Sequence, residues 1–248
     1  MPAASVRAAA AAVSYLTRVP VGRIELERVD VQRGAILFPV VGSGVGALAG
    51  VAALGVHHRL SSFLSAAIAV GVLGLLTGAL HLDALADTAD ALGQPRDRAL
   101  EIMRDPRIGS FGAVAVALDL ITKTGAVAQL LDHGGAFVSL VAAAALARAA
   151  PIVLAATLPY PRAEAGRGGV FAGDRPRSAA AGAALLAAAI AIAVAGWHGA
   201  VLGGVAAAST LGLALAFRAW LGGATGDCLG AATEIAETLA LVVAAAFA

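Results

Sequence analysis

Residues 35–56 read Ala35-Ile-Leu-Phe-Pro-Val-Val-Gly-Ser-Gly-Val-Gly-Ala-Leu-Ala-Gly-Val-Ala-Ala-Leu-Gly-Val56, without one charged side chain. The hydrocarbon core of a bilayer is about 30 Å thick and is crossed by about 20 residues of helix, so this stretch reads as a transmembrane span. The same test, allowing few charges, picks out 61–80, 109–131, 136–159, 178–195, 200–217 and 231–248. Of these, 178–195 and 200–217 have the loosest bounds, around Gly196, Trp197 and His198. In lipid every backbone polar group must find an internal partner, which leaves a helix as the economical spanning form for segments of this length. The sequence therefore predicts an all-α fold, a polytopic transmembrane helical bundle of about seven spans. It reads as one integral membrane domain over 1–248, because no polar segment is long enough to bury a core of its own.

Composition agrees. Of 248 residues, 60% are hydrophobic and 13% charged, about half the roughly 25% charged share of a soluble domain. Mean hydropathy is +0.87. Alanine fills 66 positions, and small residues suit close helix packing in lipid. A net charge of +1 provides no basic field for nucleic acid, and 4% aromatics provide little for base stacking. The lone cysteine, Cys228, excludes an intramolecular disulfide and a multi-thiolate metal site.

The polar segments alternate between two sides. Segments 1–34, 81–108, 160–177 and 218–230 hold 14 of the 17 cationic residues, all arginine, whereas the opposite side holds Arg59 alone. By the positive-inside rule the arginine-rich side is cytoplasmic, with the amino terminus inside and the carboxyl terminus outside. Residues 3–17 are apolar but too short to span and are interrupted by Arg7. They read as an interfacial helix on the inner leaflet rather than a signal peptide, since no convincing small-residue cleavage pattern follows.

Six of the 16 acidic residues fall between 83 and 105. His81-Leu-Asp-Ala-Leu-Ala-Asp-Thr-Ala-Asp-Ala-Leu-Gly93 is rich in helix formers, with Gly93 and Pro95 placed to end it. The reading is that the second span continues into the cytoplasm as one helix, on which Asp83, Asp87 and Asp90 share a face. Like charges at that spacing repel, and a divalent cation would relieve them; oxygen-only ligands select a hard ion such as magnesium. A solvated acidic face is the alternative. Asp97 is placed to cap a second short helix running to Arg104 or Asp105 before Pro106. Arg104 and Arg107 then stand beside the carboxylates, where they can bind a diphosphate through paired donors or serve topology only.

Within the spans, Asp119 and Lys123 lie four apart and can pair. Arg148 stands alone in the fourth span, and Glu234 and Glu237 lie near the start of the last. Lys123 is expected to reach a polar cavity, and Arg148 to serve such a cavity or to partner one of these acids. Glycine-rich stretches at 166–173 and 221–230 can present amides to an anion or simply connect helices. The five histidines show no ligand spacing, and His81 is the one beside the acidic segment.

The run from His81 to Gly93, followed by Glu101-Ile-Met-Arg-Asp-Pro-Arg-Ile-Gly109, resembles the signature of the cobalamin synthase family, the adenosylcobinamide-GDP ribazoletransferases. The likeness continues through Tyr15-Leu-Thr-Arg-Val-Pro20, Phe38-Pro39, Lys123, Gly168-Gly-Val-Phe171, Gly222-Gly-Ala-Thr-Gly-Asp-Cys-Leu-Gly230, Glu234 and Glu237. It implies a bacterial inner-membrane enzyme, dependent on Mg2+, that joins adenosylcobinamide-GDP to alpha-ribazole or its 5'-phosphate and releases GMP. Carried over, Asp83, Asp87 and Asp90 would be metal ligands and Glu101 and Asp105 further acidic groups; His81 or a carboxylate would take the hydroxyl proton. Lys123, Gly169, Asp227, Glu234 and Glu237 join Arg104 and Arg107 as substrate-binding positions. The sequence departs from the family pattern at Ala84 and Ala91, where glycine is usual, and at Pro106, where serine is usual. Without the resemblance, the rivals are a membrane alcohol- or prenyl-diphosphate transferase with a magnesium–aspartate site, and a secondary transporter using Asp119, Lys123 and Arg148. Oligomeric state stays open.

Overall fold

The computed structural model describes residues 3–22, 24–161, 170 and 177–248, and among these there are helices and turns but no strand. Among the described residues six helical stretches are long and apolar enough to cross a membrane, and a seventh joins them if a bent pair is counted as one span. The chain is thus a multi-pass helical membrane protein, with the number of spans close to the expectation.

Helix α1 (Ala4–Leu16) is the short amino-terminal helix. Its apolar stripe of Ala8, Ala11, Ala12 and Leu16 is buried by the protein itself. Arg7 Nε reaches Asp30 Oδ1 at 3.2 Å on α2 (Arg28–Gly34), and Tyr15 stacks on Phe38 with ring centroids 5.5 Å apart. A 3-10 turn carries α2 into α3 (Phe38–His57). Its glycines at 42, 46 and 50 form one stripe. A Cβ on Gly42 or Gly46 would run into the backbone of Ala144 or Leu140, and one on Gly50 into the Phe137 ring. Removing three side chains lets α3 lie directly on α8 (Ala136–Ala147), the small-residue packing mode of helices in lipid.

α8 is the centre of the bundle, buried from Ser139 through Ala147. It breaks at Arg148 and resumes as α9 (Ala150–Thr157). Pro151 explains the break, since it has no N–H to donate to the carbonyl four residues earlier. Around this axis pack α7 (Ser110–Asp132), α10 (Arg177–Ala195), α11 (Trp197–Leu221) and α12 (Gly226–Ala246). α10 and α11 are separated at Gly196, where φ is 59° and ψ is −135°.

The second span does not continue into the acidic segment. α4 (Ser62–Thr77) stops at Gly78, and α5 (Leu80–Asp90) leaves at 91° to it. Two consecutive left-handed residues make the corner, Gly78 at φ 62° and Ala79 at φ 55°. Glycine takes that conformation freely, whereas alanine is strained there by about 1 kcal/mol or more. The corner is held from outside: Arg18 N–H donates to the Leu76 carbonyl at 2.8 Å, and the Arg18 side chain covers Gly78 so closely that a Cβ would collide with it.

Candidate functional site

At the end of the bundle where α4 and α11 finish and α7 and α12 begin, α5 rests on its neighbours. With 3.6 residues per turn, Asp83, Asp87 and Asp90 fall on one side of this helix and His81, Leu85 and Thr88 on the other. Burial follows the division. Asp83 is exposed and Asp87 and Asp90 are half-buried, whereas His81, Leu85 and Thr88 are buried. The second glycine-rich stretch matters here for space: a Cβ on Gly230 of α12 would collide with that of Ala84. The alanine at 84 is therefore accommodated by glycine on the facing helix.

Asp90 is tied to the chain that follows. Its carboxylate accepts the Gly109 N–H at 2.6 Å and the Gly112 N–H at 2.8 Å, closing the first turn of α7. Both glycines leave room for it, since a Cβ at either would strike the carboxylate. Gly112 is close to the Ala86 carbonyl as well. A helix start carries free N–H donors and the positive end of the dipole, so a carboxylate there is favoured. Asp90 consequently has a structural duty on the face it shares with Asp83 and Asp87. Among the described residues no three His, Cys, Asp or Glu side chains converge as a metal site. The donor chemistry of the three aspartates suits a hard cation, and each Asp90 oxygen, having accepted one N–H, retains a second lone pair.

α6 (Arg96–Ile102) is shorter than expected and starts on Pro95, with no side-chain cap. Asp97 lies inside its first turn, so it is not the cap that the spacing implied. α6 is clamped over the end of α11: Arg96 Nε donates to the Leu221 carbonyl at 3.0 Å, and Trp220 Nε1 donates to the Gln94 carbonyl at 2.9 Å. Glu101 is paired with Arg98 at 2.9 Å on the exposed side. Asp105 receives both the Nε (2.9 Å) and Nη2 (2.7 Å) of Arg107 and its backbone N–H at 3.1 Å. The Arg107 guanidinium accordingly holds the Asp105 carboxyl down at about 2. Arg104 is exposed; its backbone N–H donates to the Glu101 carbonyl at 2.9 Å, and among the described residues no hydrogen bond or ion pair engages its side chain.

The remaining positions fall elsewhere. His81 is only 4% exposed, pressed against α12, and its Nδ1 lacks a hydrogen-bond partner among the described residues. The structure thus sets it away from the acidic face. Lys123, expected to reach a polar cavity and to bind substrate, is enclosed in an ion network: Asp119 at 3.1 Å, Glu237 at 3.4 Å and Glu234 in direct contact. Arg148 takes the other oxygen of Glu237, and Thr238 donates to Asp119. The structural alternative for Arg148 is therefore the one realised. Five charged groups, two cations and three carboxylates, lie buried between α7, the α8–α9 break and α12. Desolvating any of them alone is expensive, so each exists by virtue of the others. Asp227 sits in the first turn of α12 behind the cap Thr225, whose side chain accepts the Cys228 N–H. Gly169 lies outside the described residues.

The chain is a membrane-embedded helical protein whose acidic surface is carried by a short helix set across the end of the bundle. Comparison with known proteins gives its family. Residues 8–245 match the family model described as cobalamin-5-phosphate synthase, and the chain belongs to that family. An adenosylcobinamide-GDP ribazoletransferase of Klebsiella pneumoniae subsp. pneumoniae is 38% identical over 238 residues, covering 94% of this chain and 96% of the relative. The protein of the same name from Escherichia coli K12 is 36% identical over 241 residues, with the same coverage. No solved structure matches.

Proposed function

We propose that this chain is an adenosylcobinamide-GDP ribazoletransferase, an enzyme of the last steps of cobalamin synthesis. The observation that carries this reading is the family match over nearly the whole chain. The acidic helix α5, with its exposed Asp83 and half-buried Asp87, supplies the kind of surface that diphosphate chemistry needs. In the reaction, a ribose hydroxyl of alpha-ribazole or its 5'-phosphate forms a bond to the cobinamide-side phosphorus of adenosylcobinamide-GDP. The bond from that phosphorus to the GMP oxygen breaks, GMP leaves, and the hydroxyl proton passes to a base.

Asp83, Asp87 and Asp90 would hold Mg2+, which when bound neutralises phosphate charge and favours the leaving group. Within the chain, α5 is oriented for this by the Gly78–Ala79 corner at one end and by the Asp90 contacts to α7 at the other. Arg104 is an exposed cation whose side chain has no ion partner among the described residues, and it serves to hold the diphosphate; Arg107, with Nε and Nη2 on Asp105, has fewer donors left for it. For the base, the exposed carboxylates are better placed than the buried His81, and Asp105, held ionised by Arg107, is a poor proton acceptor.

The protein belongs in the bacterial inner membrane, with the amino terminus and α5 on the cytoplasmic side, an orientation that the arginine distribution supports. The transporter reading is disfavoured, because Asp119, Lys123 and Arg148 are spent on one another and on two glutamates. The test is GMP release by the purified protein in lipid nanodiscs, given adenosylcobinamide-GDP, ribazole and magnesium. Release that depends on all three supports the assignment, and none with any ribazole species overturns it.

A further inference from the structure

The stretch Tyr15-Leu-Thr-Arg-Val-Pro20 carries no group of the proposed site, yet it meets the chain where α5 begins. α4 ends on two bonds, Ala79 N–H to the Gly74 carbonyl at 2.8 Å and Gly78 N–H to the Leu75 carbonyl at 3.2 Å. That pattern closes a helix with one left-handed residue, which Gly78 supplies. Ala79 is a second, and among the described residues it is the one non-glycine residue at positive φ. Ending α4 does not require it. It sets where α5 goes: the Ala79 carbonyl accepts the Asp83 N–H at 2.9 Å, so the placement of Asp83 follows from that of Ala79.

Arg18 meets this corner with two parts. Its N–H occupies the Leu76 carbonyl at 2.8 Å, the acceptor that Leu80 would use if α4 ran on as one helix. Its stem lies over Gly78: a Cβ there would stand 2.8 Å from Arg18 Cγ and 3.0 Å from Cδ, inside contact distance. Both contacts depend on a fixed approach. Tyr15 is stacked on Phe38, the Thr17 hydroxyl donates to the Val13 carbonyl at 2.7 Å, and the Val19 N–H donates to that hydroxyl at 3.2 Å. The guanidinium itself has no hydrogen bond or ion pair among the described residues.

We propose that Arg18 is a positioning residue for the transferase: through its N–H and its aliphatic stem it holds Ala79 in the left-handed conformation, and so holds Asp83 where it acts with Asp87 and Asp90. The proposal rests on the transferase reading above and deepens it. α5 is fastened at its Asp90 end by Gly109 and Gly112; Arg18 fastens the Asp83 end. Alanine is disfavoured in the left-handed conformation by its Cβ, and glycine is not. Loss of the stem therefore releases the Asp83 end, and glycine at position 79 restores it.

Kinetics of GMP release in nanodiscs and amide hydrogen exchange of α5 test this on full-length wild type, Arg18→Ala, Arg18→Met, and Arg18→Ala combined with Ala79→Gly. All four keep the N–H of residue 18, and Arg18→Met keeps an unbranched stem without the charge. Arg18→Ala should lower kcat about tenfold, the scale of left-handed strain at one alanine, leave KM for adenosylcobinamide-GDP nearly unchanged, and speed exchange at Asp83 and Ala84 relative to Ala89. Arg18→Met should stay near wild type, and Ala79→Gly should restore most of what Arg18→Ala loses. A guanidinium that binds phosphate predicts the reverse: Arg18→Met as poor as Arg18→Ala, a raised KM, and no recovery through Ala79→Gly. That result overturns the proposal, as does wild-type kcat in Arg18→Ala. Wild-type protein that releases no GMP overturns the transferase reading and the catalytic role of Arg18 with it. Exchange then decides the hold on the corner by itself: faster exchange in Arg18→Ala that Ala79→Gly reverses supports it, and exchange equal to wild type overturns it.

Discussion

Asp90 accepts the Gly112 N–H at 2.8 Å, so the last turn of the acidic helix α5 is fastened to the first turn of the span that follows. The carboxylate thus joins the site to the bundle as well as contributing charge to it. Asp90→Asn should lower the thermal midpoint of the solubilised protein by roughly 3 °C, because a lost helix-start carboxylate costs about 1 kcal/mol. Gly112→Ala should cost at least as much, since its Cβ meets both the Asp90 carboxylate and the Ala86 carbonyl. Midpoints equal to wild type for both variants would show that this contact does not hold α5.

The buried ion network makes a different expectation, about stability rather than turnover. Arg148→Met leaves Glu237 without its guanidinium in a site closed to water, and a broken buried pair typically costs about 3–5 kcal/mol. Arg148→Met combined with Glu237→Met removes one charge of each sign and should recover much of that loss. Thermal unfolding in one detergent compares the three proteins. A double variant no more stable than the single one would contradict the network's role as mutual compensation.

Arg104 and Arg107 should differ in effect. Both are exposed, but Arg107 is bidentate on Asp105, whereas the Arg104 side chain has no ion partner among the described residues. Arg104→Lys is expected to weaken adenosylcobinamide-GDP binding about tenfold, because the planar fork is lost while the charge stays. Arg107→Lys should perturb binding less. Affinities measured for both variants decide, and the reverse order would make Arg107 the phosphate ligand.

Topology can be read by cysteine labelling in a Cys228→Ser background. Asp97 and His133 are both exposed and lie on opposite sides if the arginine bias sets orientation. An impermeant thiol reagent should label His133→Cys in intact cells and Asp97→Cys only after permeabilisation. The opposite pattern would place α5 outside.

Spans were legible in the sequence because hydropathy over about 20 residues reports directly on the solvent. The corner at Gly78 was missed, although Thr77-Gly78 is an ordinary helix-ending signal; apolar residues on both sides of it hid the stop. Asp83, Asp87 and Asp90 read as equivalent by spacing, yet Asp90 is distinguished by Gly109 and Gly112, nineteen and twenty-two residues on, a long-range pairing that no helical period reveals. Lys123, Glu234 and Glu237 could be singled out as costly, but their mutual contacts depend on how α7 and α12 pack.

The central claim is that the aspartate face of α5 is where phosphoryl transfer occurs, and one comparison tests it most directly. GMP release from adenosylcobinamide-GDP, with ribazole and magnesium present, is measured for wild type, Asp83→Asn, Asp87→Asn and the neighbouring exposed control Asp97→Asn, alongside the thermal midpoint of each. Turnover should fall at least a hundredfold for Asp83→Asn and Asp87→Asn at unchanged midpoint, the scale of losing about 3 kcal/mol of transition-state stabilisation, and stay near wild type for Asp97→Asn. Wild-type turnover in Asp83→Asn and Asp87→Asn would contradict the claim and move the chemistry away from α5.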